Sequence, residues 1–238
     1  MELHDTITEP ATTFSHGVKA GVSIALGYMP IALAFGLLGK NTGLSLIQTM
    51  GMSIFVFAGA SQFMALGMIG LGVGVIEIVF STFIVNIRHM LMSMTIHEKA
   101  LPEPLYRRLI YAFGITDEVF AVSAVREGRL SSPFLFGVAG MAYSSWVLNS
   151  GLGFVAGSLL PEAVQAGMSI ALYAMFIGLL IPSVRKHRRA LFLALTAGGL
   201  NYGFGQIMAS GWAIIGATVG AVLLMELFQP KLQAGEDV

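Results

Sequence analysis

The 238-residue chain has no cysteine. That excludes disulfides, thiolate nucleophiles and cysteine-based metal sites together. Charge is scarce too. Only 11% of residues are charged, against about a quarter in an ordinary globular chain. The Lys and Arg side chains balance the Asp and Glu side chains to a net charge of zero, so no basic surface points to nucleic acid. No G-x-x-x-x-G-K-[ST] phosphate loop occurs, which argues against an ATPase. No run of short alternating strands suggests a barrel. Residues Met1 to His16 lack the basic start and small-residue cleavage site of a secretory signal, so the first apolar segment is expected to stay in the mature protein.

What fills the chain is apolar: 55% of residues are hydrophobic and the mean hydropathy is +0.79. A soluble domain of this size cannot hide so much apolar surface, so lipid must be the solvent for much of it. The expectation is an all-α, polytopic helical membrane protein of about seven spans, with a re-entrant or short eighth segment. The 29 glycines suit helices whose backbones approach closely.

The spans read as follows. Val18–Leu38 holds Pro30, which removes a backbone donor and predicts a kink, either for packing or beside a substrate. Leu46–Ile69 contains GMSIFVFAGASQF, where Gly59, Ala60, Ser61 and Gln62 stand at membrane depth. They form either a packing face or a break in the helix that opens its backbone to a substrate. The side-chain amide of Gln62 favours the second, because it is costly to bury unpaired. Val73–Thr95 carries Glu77, Asn86, Arg88 and His89. Ionisable groups inside a span are functional candidates. Asn86 and His89 share a face with Thr82. Glu77 and Arg88 lie about 16 Å apart along the helix, so Arg88 either pairs elsewhere or snorkels to the surface.

His97-Glu98 lacks the second histidine of a zinc-protease motif, and no metal site or cofactor is expected. Leu109–Val125 contains Thr116-Asp117-Glu118. The acidic pair is a candidate proton site, a candidate partner for Arg88, or the water-facing edge of an interfacial helix. Four more spans follow: Phe134–Val155, Met168–Val184 with Pro182 as a stop or kink, Ala190–Met208 with Asn201, and Trp212–Phe228. Between the sixth and seventh lies the basic cluster of residues 185–189.

Gly51-Met52-Ser53-Ile54 recurs as Gly167-Met168-Ser169-Ile170, an offset of 116 residues. This suggests a two-fold internal repeat with broken helices inside one transporter domain. Repeat one would cover about 17–96, a linker with the re-entrant segment 97–132, repeat two about 133–210, and a last span 212–228. If Leu109–Val125 crosses fully, the copies are parallel. If it dips in and returns, they are inverted and the N-terminus is outside. Lys40, Lys99, Arg107, Arg108, Arg126, Arg129, the 185–189 cluster and Lys231 are then cytoplasmic. The positive-inside rule favours the second arrangement.

The segments FAGASQF (Phe57–Phe63), NIRHMLMS (Asn86–Ser93), TDEVFA (Thr116–Ala121) and AMFIGLLIPSVRK (Ala174–Lys186), in this order, resemble the AzlC family of branched-chain amino acid permeases. The likeness runs from about Phe14 to Phe228. At one position the pattern departs, with Ser169 where an acidic residue often precedes the sixth span. The resemblance implies export of branched-chain amino acids, and in some members methionine, across the cell (inner) membrane. It implies a proton-motive energy source and a small AzlD-type membrane partner.

Taken with the residues, this predicts a secondary exporter rather than an enzyme. The alternative is a channel or facilitator for a small polar solute, which needs no proton carrier. Gly59–Gln62 would receive the substrate carboxylate on free backbone amides. Asn86, His89 and Asn201 would complete a polar site. Asp117 or Glu118 would carry the coupling proton, with Arg88 setting its acidity and His89 as the other candidate carrier.

Overall fold

The computed structural model describes residues 13–208 and 210–233. Among them are ten α-helices, a short 3-10 turn and no strand beyond one isolated bridge between Ala100 and Leu130. Local chemistry sets the helix ends. Thr13 accepts from the His16 amide and starts α1, Phe14–Asn41. Ser45 and Gln48 form a reciprocal capping box at the start of α2, Leu46–Phe55. Ser131 caps α7, Ser132–Ala156, which has proline in its first turn. Helix α1 continues through Pro30.

The chain divides into two compact units. The first comprises residues up to Leu66 together with Val85–Ala171. Its frame is α1 against α7. The two helices run parallel: Gly17 meets Phe134, Gly21 meets Val138 and Gly36 meets Ser150, in the same order along both. A Cβ on Gly36 would lie 2.0 Å from the Ser150 carbonyl oxygen, and one on Gly153 would lie 2.1 Å from that of Leu33. Only glycine permits backbones this close. Ser145 donates to the Ala25 carbonyl across the same interface at 2.6 Å.

Two helical hairpins hang on this frame. The first is α2 with α3, Gly59–Gly70. Helix α2 descends from the C-terminal end of α1. Thr49 packs against Gly39, Ser53 donates to Ser150 at 2.8 Å, and Phe57 reaches Tyr28, the middle of α1. The chain then reverses: Gly59 lies under Trp146, Gln62 comes back beside Ser53, and Phe63 meets Phe35. The stretch expected to be one span, Leu46–Ile69, is therefore two helices that reverse direction at Phe57.

The second hairpin is α5, Leu105–Phe113, with α6, Asp117–Ala124. It rises from the N-terminal end of α7, where Ser132 donates to Glu103 at 2.7 Å. Its tip meets Tyr28 and Tyr143. It comes back down to Lys99, which donates to the carbonyls of Ala124 and Arg126. Leu109–Val125 is thus not one helix but parts of two, which turn at 114–116. Between the hairpins, α4, Val75–Lys99, brings Arg88 level with the α6 start and ends beside Leu130. It runs opposite to α1.

The expected inverted relation of the two copies is corrected here. One re-entrant hairpin between α1 and α7 would set them antiparallel, but two restore the parallel course. At the 116-residue offset, α2 and α3 fall on α8, Glu162–Lys186. Helix α8 runs unbroken and does not stop at Pro182, so the reversal of the first hairpin has no counterpart there.

The second unit comprises Gly67–Ile84 and Leu172–Val238. Its α9, Arg188–Gly205, and α10, Ser210–Gln233, run antiparallel: Gly216 faces Phe204 and Gly220 faces Leu200. Glu77 caps α10, its Oε1 accepting the Gly211 amide at 2.9 Å and the Trp212 amide at 3.4 Å. A carboxylate at a helix N-terminus meets both the free amides and the positive end of the dipole. The charge that stood out in the sequence at Glu77 thus has a structural partner.

Candidate functional site

Both hairpins place the start of their second helix at mid-height in the first unit. At the α3 start the reversal is made by Phe57, whose φ of 43° lies in the left-handed region. A bulky residue there is strained, at a cost of order 1–2 kcal/mol. Packing holds it: Phe57 is 2% exposed and its ring meets Tyr28, Phe113 and Tyr143. The Gln62 side-chain oxygen accepts the Ala58 amide at 3.1 Å, and Ser61 donates to the Ala58 carbonyl at 2.9 Å. The side chains of Ser61 and Gln62 are thus spent on holding the turn. The amides of Gly59, Ala60 and Ser61 stand in the first turn of α3, where a helix offers them no intrahelical carbonyl. Trp146 lies over it: a Cβ on Gly59 would come within 2.8 Å of the indole.

At the α6 start, Thr116 caps the helix through the Val119 amide, and Asp117 and Glu118 fill the first turn. The helix dipole favours both carboxylates. Arg88 pairs with Asp117 at 2.9 Å. Glu118 accepts through Oε2 from the Tyr28 hydroxyl, which also lies 2.8 Å from the Thr116 hydroxyl. Tyr28 has one proton to give. When it goes to Glu118, the Thr116 hydroxyl is free to donate to the tyrosine oxygen.

Four buried polar atoms here find no hydrogen-bond partner among the described residues: Glu118 Oε1, Arg88 Nε, Asn86 Oδ1 and Trp146 Nε1. Leaving such groups unmade costs about 1–3 kcal/mol each. Tyr28 ties two of these residues together. Its hydroxyl is on Glu118, and its ring stands edge-on to Trp146 with centroids 5.3 Å apart.

Of the residues chosen from the sequence, the structure assembles Arg88, Asp117 and Glu118 into one cluster. It places Gly59–Gln62 under the neighbouring Trp146. Asn86 and His89 sit half-buried on α4 in the same unit. Asn201 is exposed on α9 in the second unit. Tyr28, Thr116 and Trp146 were not singled out as site residues. A tyrosine in the middle of an apolar helix was the available signal, since a buried phenol needs a partner.

The apolar helices, two of them long and apolar enough to cross a bilayer, and the polar cluster held among them define a helical membrane protein. The AzlC family model, described as AzlC protein, matches residues 23–160; the chain belongs to the AzlC family. It is 33% identical to an uncharacterized membrane protein of Archaeoglobus fulgidus, over 89% of this chain and 93% of the relative. It is 29% identical to inner membrane protein YgaZ of Escherichia coli, over 80% and 81%. It is 24% identical to the branched-chain amino acid transport protein AzlC of Bacillus subtilis, over 90% and 85%. No solved structure matches.

Proposed function

We propose that this chain is a secondary transporter that exports branched-chain amino acids, with methionine as a further substrate, and works as the large subunit of a two-component permease in the cell membrane. Family membership and the name of the Bacillus subtilis relative support the substrate class. The observation that carries the transport reading is the meeting of two half-depth hairpins at one level, a neutral helix start and an acidic one. Half-depth helices that end at mid-membrane present amides and charges to a solute where an unbroken helix presents none. Proton-motive energy is the matching driving force, because the site holds a buried carboxyl group.

The orientation follows from the first unit alone. Lys19, Lys99, Arg107, Arg108, Arg126 and Arg129 gather at the end where α1 and α7 begin, and Lys40 sits at the other. By the positive-inside rule the N-terminal end of α1 is cytoplasmic. The second hairpin then enters from the cytoplasm and the first from outside.

In this reading the amides of Gly59, Ala60 and Ser61 receive the substrate carboxylate. Asn86 and His89 supply further polar contacts. Glu118 carries the proton, and Asp117, paired with Arg88, is its fixed neighbour. The test is export from cells loaded with leucine-, valine- and methionine-containing dipeptides, with and without the small partner subunit. Accumulation outside against a gradient, abolished by a protonophore, supports the proposal. Equilibration that ignores the protonophore makes the protein a facilitator instead.

A further inference from the structure

We infer that Glu118 binds a proton and the substrate ammonium group by turns, so that one buried carboxyl both recognises the amino acid and couples its movement to the proton. This inference rests on the transport reading above. Three observations carry it.

First, the two carboxylates of α6 are not equivalent. Asp117 is committed to Arg88, while Glu118 has one oxygen held by an exchangeable tyrosine hydroxyl and the other unpartnered. A buried carboxyl oxygen with no donor is stable when it carries a proton itself or receives N–H groups from a ligand.

Second, the unmade bonds match a zwitterion. Glu118 Oε1 is an acceptor for an ammonium group, and Trp146 Nε1 is a donor for a carboxylate. Trp146 is 2% exposed, and its ring covers Gly59 at the start of α3. The ring atoms over Gly59 are those of the benzo edge, Cη2 and Cζ3, so the Trp146 N–H and the first-turn amides of α3 are two separate donors in this reading, and the acceptor is Glu118.

Third, Tyr28 joins the two sides and stands in for the ligand. Its hydroxyl makes on Glu118 the bond that an ammonium N–H would make. The titratable groups against this carboxyl are Tyr28 from α1 and Asp117 on its own helix; Arg88 of α4, followed by His89, is on Asp117. From α7 the neutral Trp146 ring stands edge-on to Tyr28.

The exchange balances without covalent change to the substrate. Protonated Glu118 releases its proton to water, and the ionised carboxylate accepts N–H bonds from the ammonium group, which keeps all its protons. When the amino acid leaves, Glu118 takes up a proton again. One proton moves one way for each neutral zwitterion moved the other way.

The purified full-length chain in detergent tests this by titration with L-leucine in weakly buffered solution containing a pH dye. Under acidic conditions each leucine bound should release one proton. Leucine affinity should fall about tenfold for each pH unit below the point where the carboxyl titrates. α-Ketoisocaproate, the same carbon skeleton without the ammonium group, should release none. Glu118→Gln should bind leucine at least about thirtyfold more weakly and lose the pH dependence, with melting temperature and elution volume used to confirm that it is folded. Trp146→Phe should weaken binding and leave the proton count at one. Leucine binding without proton release, or a pH dependence that survives in Glu118→Gln, overturns the inference and leaves the transporter reading standing. Absence of binding by any branched-chain amino acid, both to the chain alone and to the chain with its small partner subunit, overturns both.

Discussion

The two hairpins differ where they matter. The α2–α3 tip carries no charge. It is closed by Phe57 in a left-handed conformation, by an amide cap from Gln62, and by the Trp146 ring. The α5–α6 tip is capped by a threonine hydroxyl and carries two carboxylates, one paired with Arg88 and one with Tyr28. The same backbone device, a helix starting at mid-height, thus appears once in neutral and once in acidic form. A neutral helix start can attract an anionic group, whereas one filled by its own carboxylates is suited to cations and protons. The proposed function assigns them different parts: the first hairpin the carboxylate end of a substrate, the second its ammonium end and the proton.

Substitutions can break this contrast. The largest effect is expected from Glu118→Gln, which removes the titrating group with little change in shape. Gradient-driven export should fall about a hundredfold or more, measured as leucine efflux from proteoliposomes with an imposed pH step. Gly59→Ala forces the buried Trp146 ring to move. It should destabilise the protein by about 1–3 kcal/mol and weaken substrate binding without altering the proton count, read by thermal melting and by titration. Gln62→Ala leaves the buried Ala58 amide without its acceptor. A loss of about 1–3 kcal/mol is expected, with the pH profile of transport unchanged; a shifted profile would mean that the first hairpin also takes part in proton coupling.

The smallest effect lies at the foot of the second hairpin. The Ser132 hydroxyl, and secondarily Arg107, hold the Glu103 carboxyl below the usual carboxylate range. Its folded pKa is depressed, so its stabilisation is complete above the ordinary carboxyl pKa. It is lost as pH falls through the lowered value. Glu103→Gln should flatten that acid limb of a melting-temperature profile and leave the neutral region nearly unchanged.

Much of the site was legible in the sequence because its residues are improbable in lipid. Arg88, Asp117 and Glu118 each stood out as charges in apolar segments, and the possibility that the acids meet Arg88 followed from the lack of a partner on its own helix. Tyr28 and Trp146 were harder to see. Aromatic residues are ordinary in membrane helices, and only the contact across 88 and 90 residues of chain reveals what the Tyr28 hydroxyl does. Ser61 and Gln62 were noticed for the right reason, the cost of burying polar side chains. Yet the structure uses those side chains to hold the turn.

The sequence by itself determined that the chain is α-helical, that it lives in lipid, and which ionisable groups are buried there, because hydropathy and the cost of burying charge are properties of composition and local order. Only the tertiary structure decided whether an apolar stretch crosses or turns back. Leu46–Ile69 has the length of a full span, and nothing in its hydropathy distinguishes a straight helix from two half-helices. The reversal depends on a left-handed Phe57 held by rings from three other helices, an arrangement stable only after those helices have packed. One such turn, added to the one between α5 and α6, sets α1 and α7 parallel and brings the two helix starts to the same level.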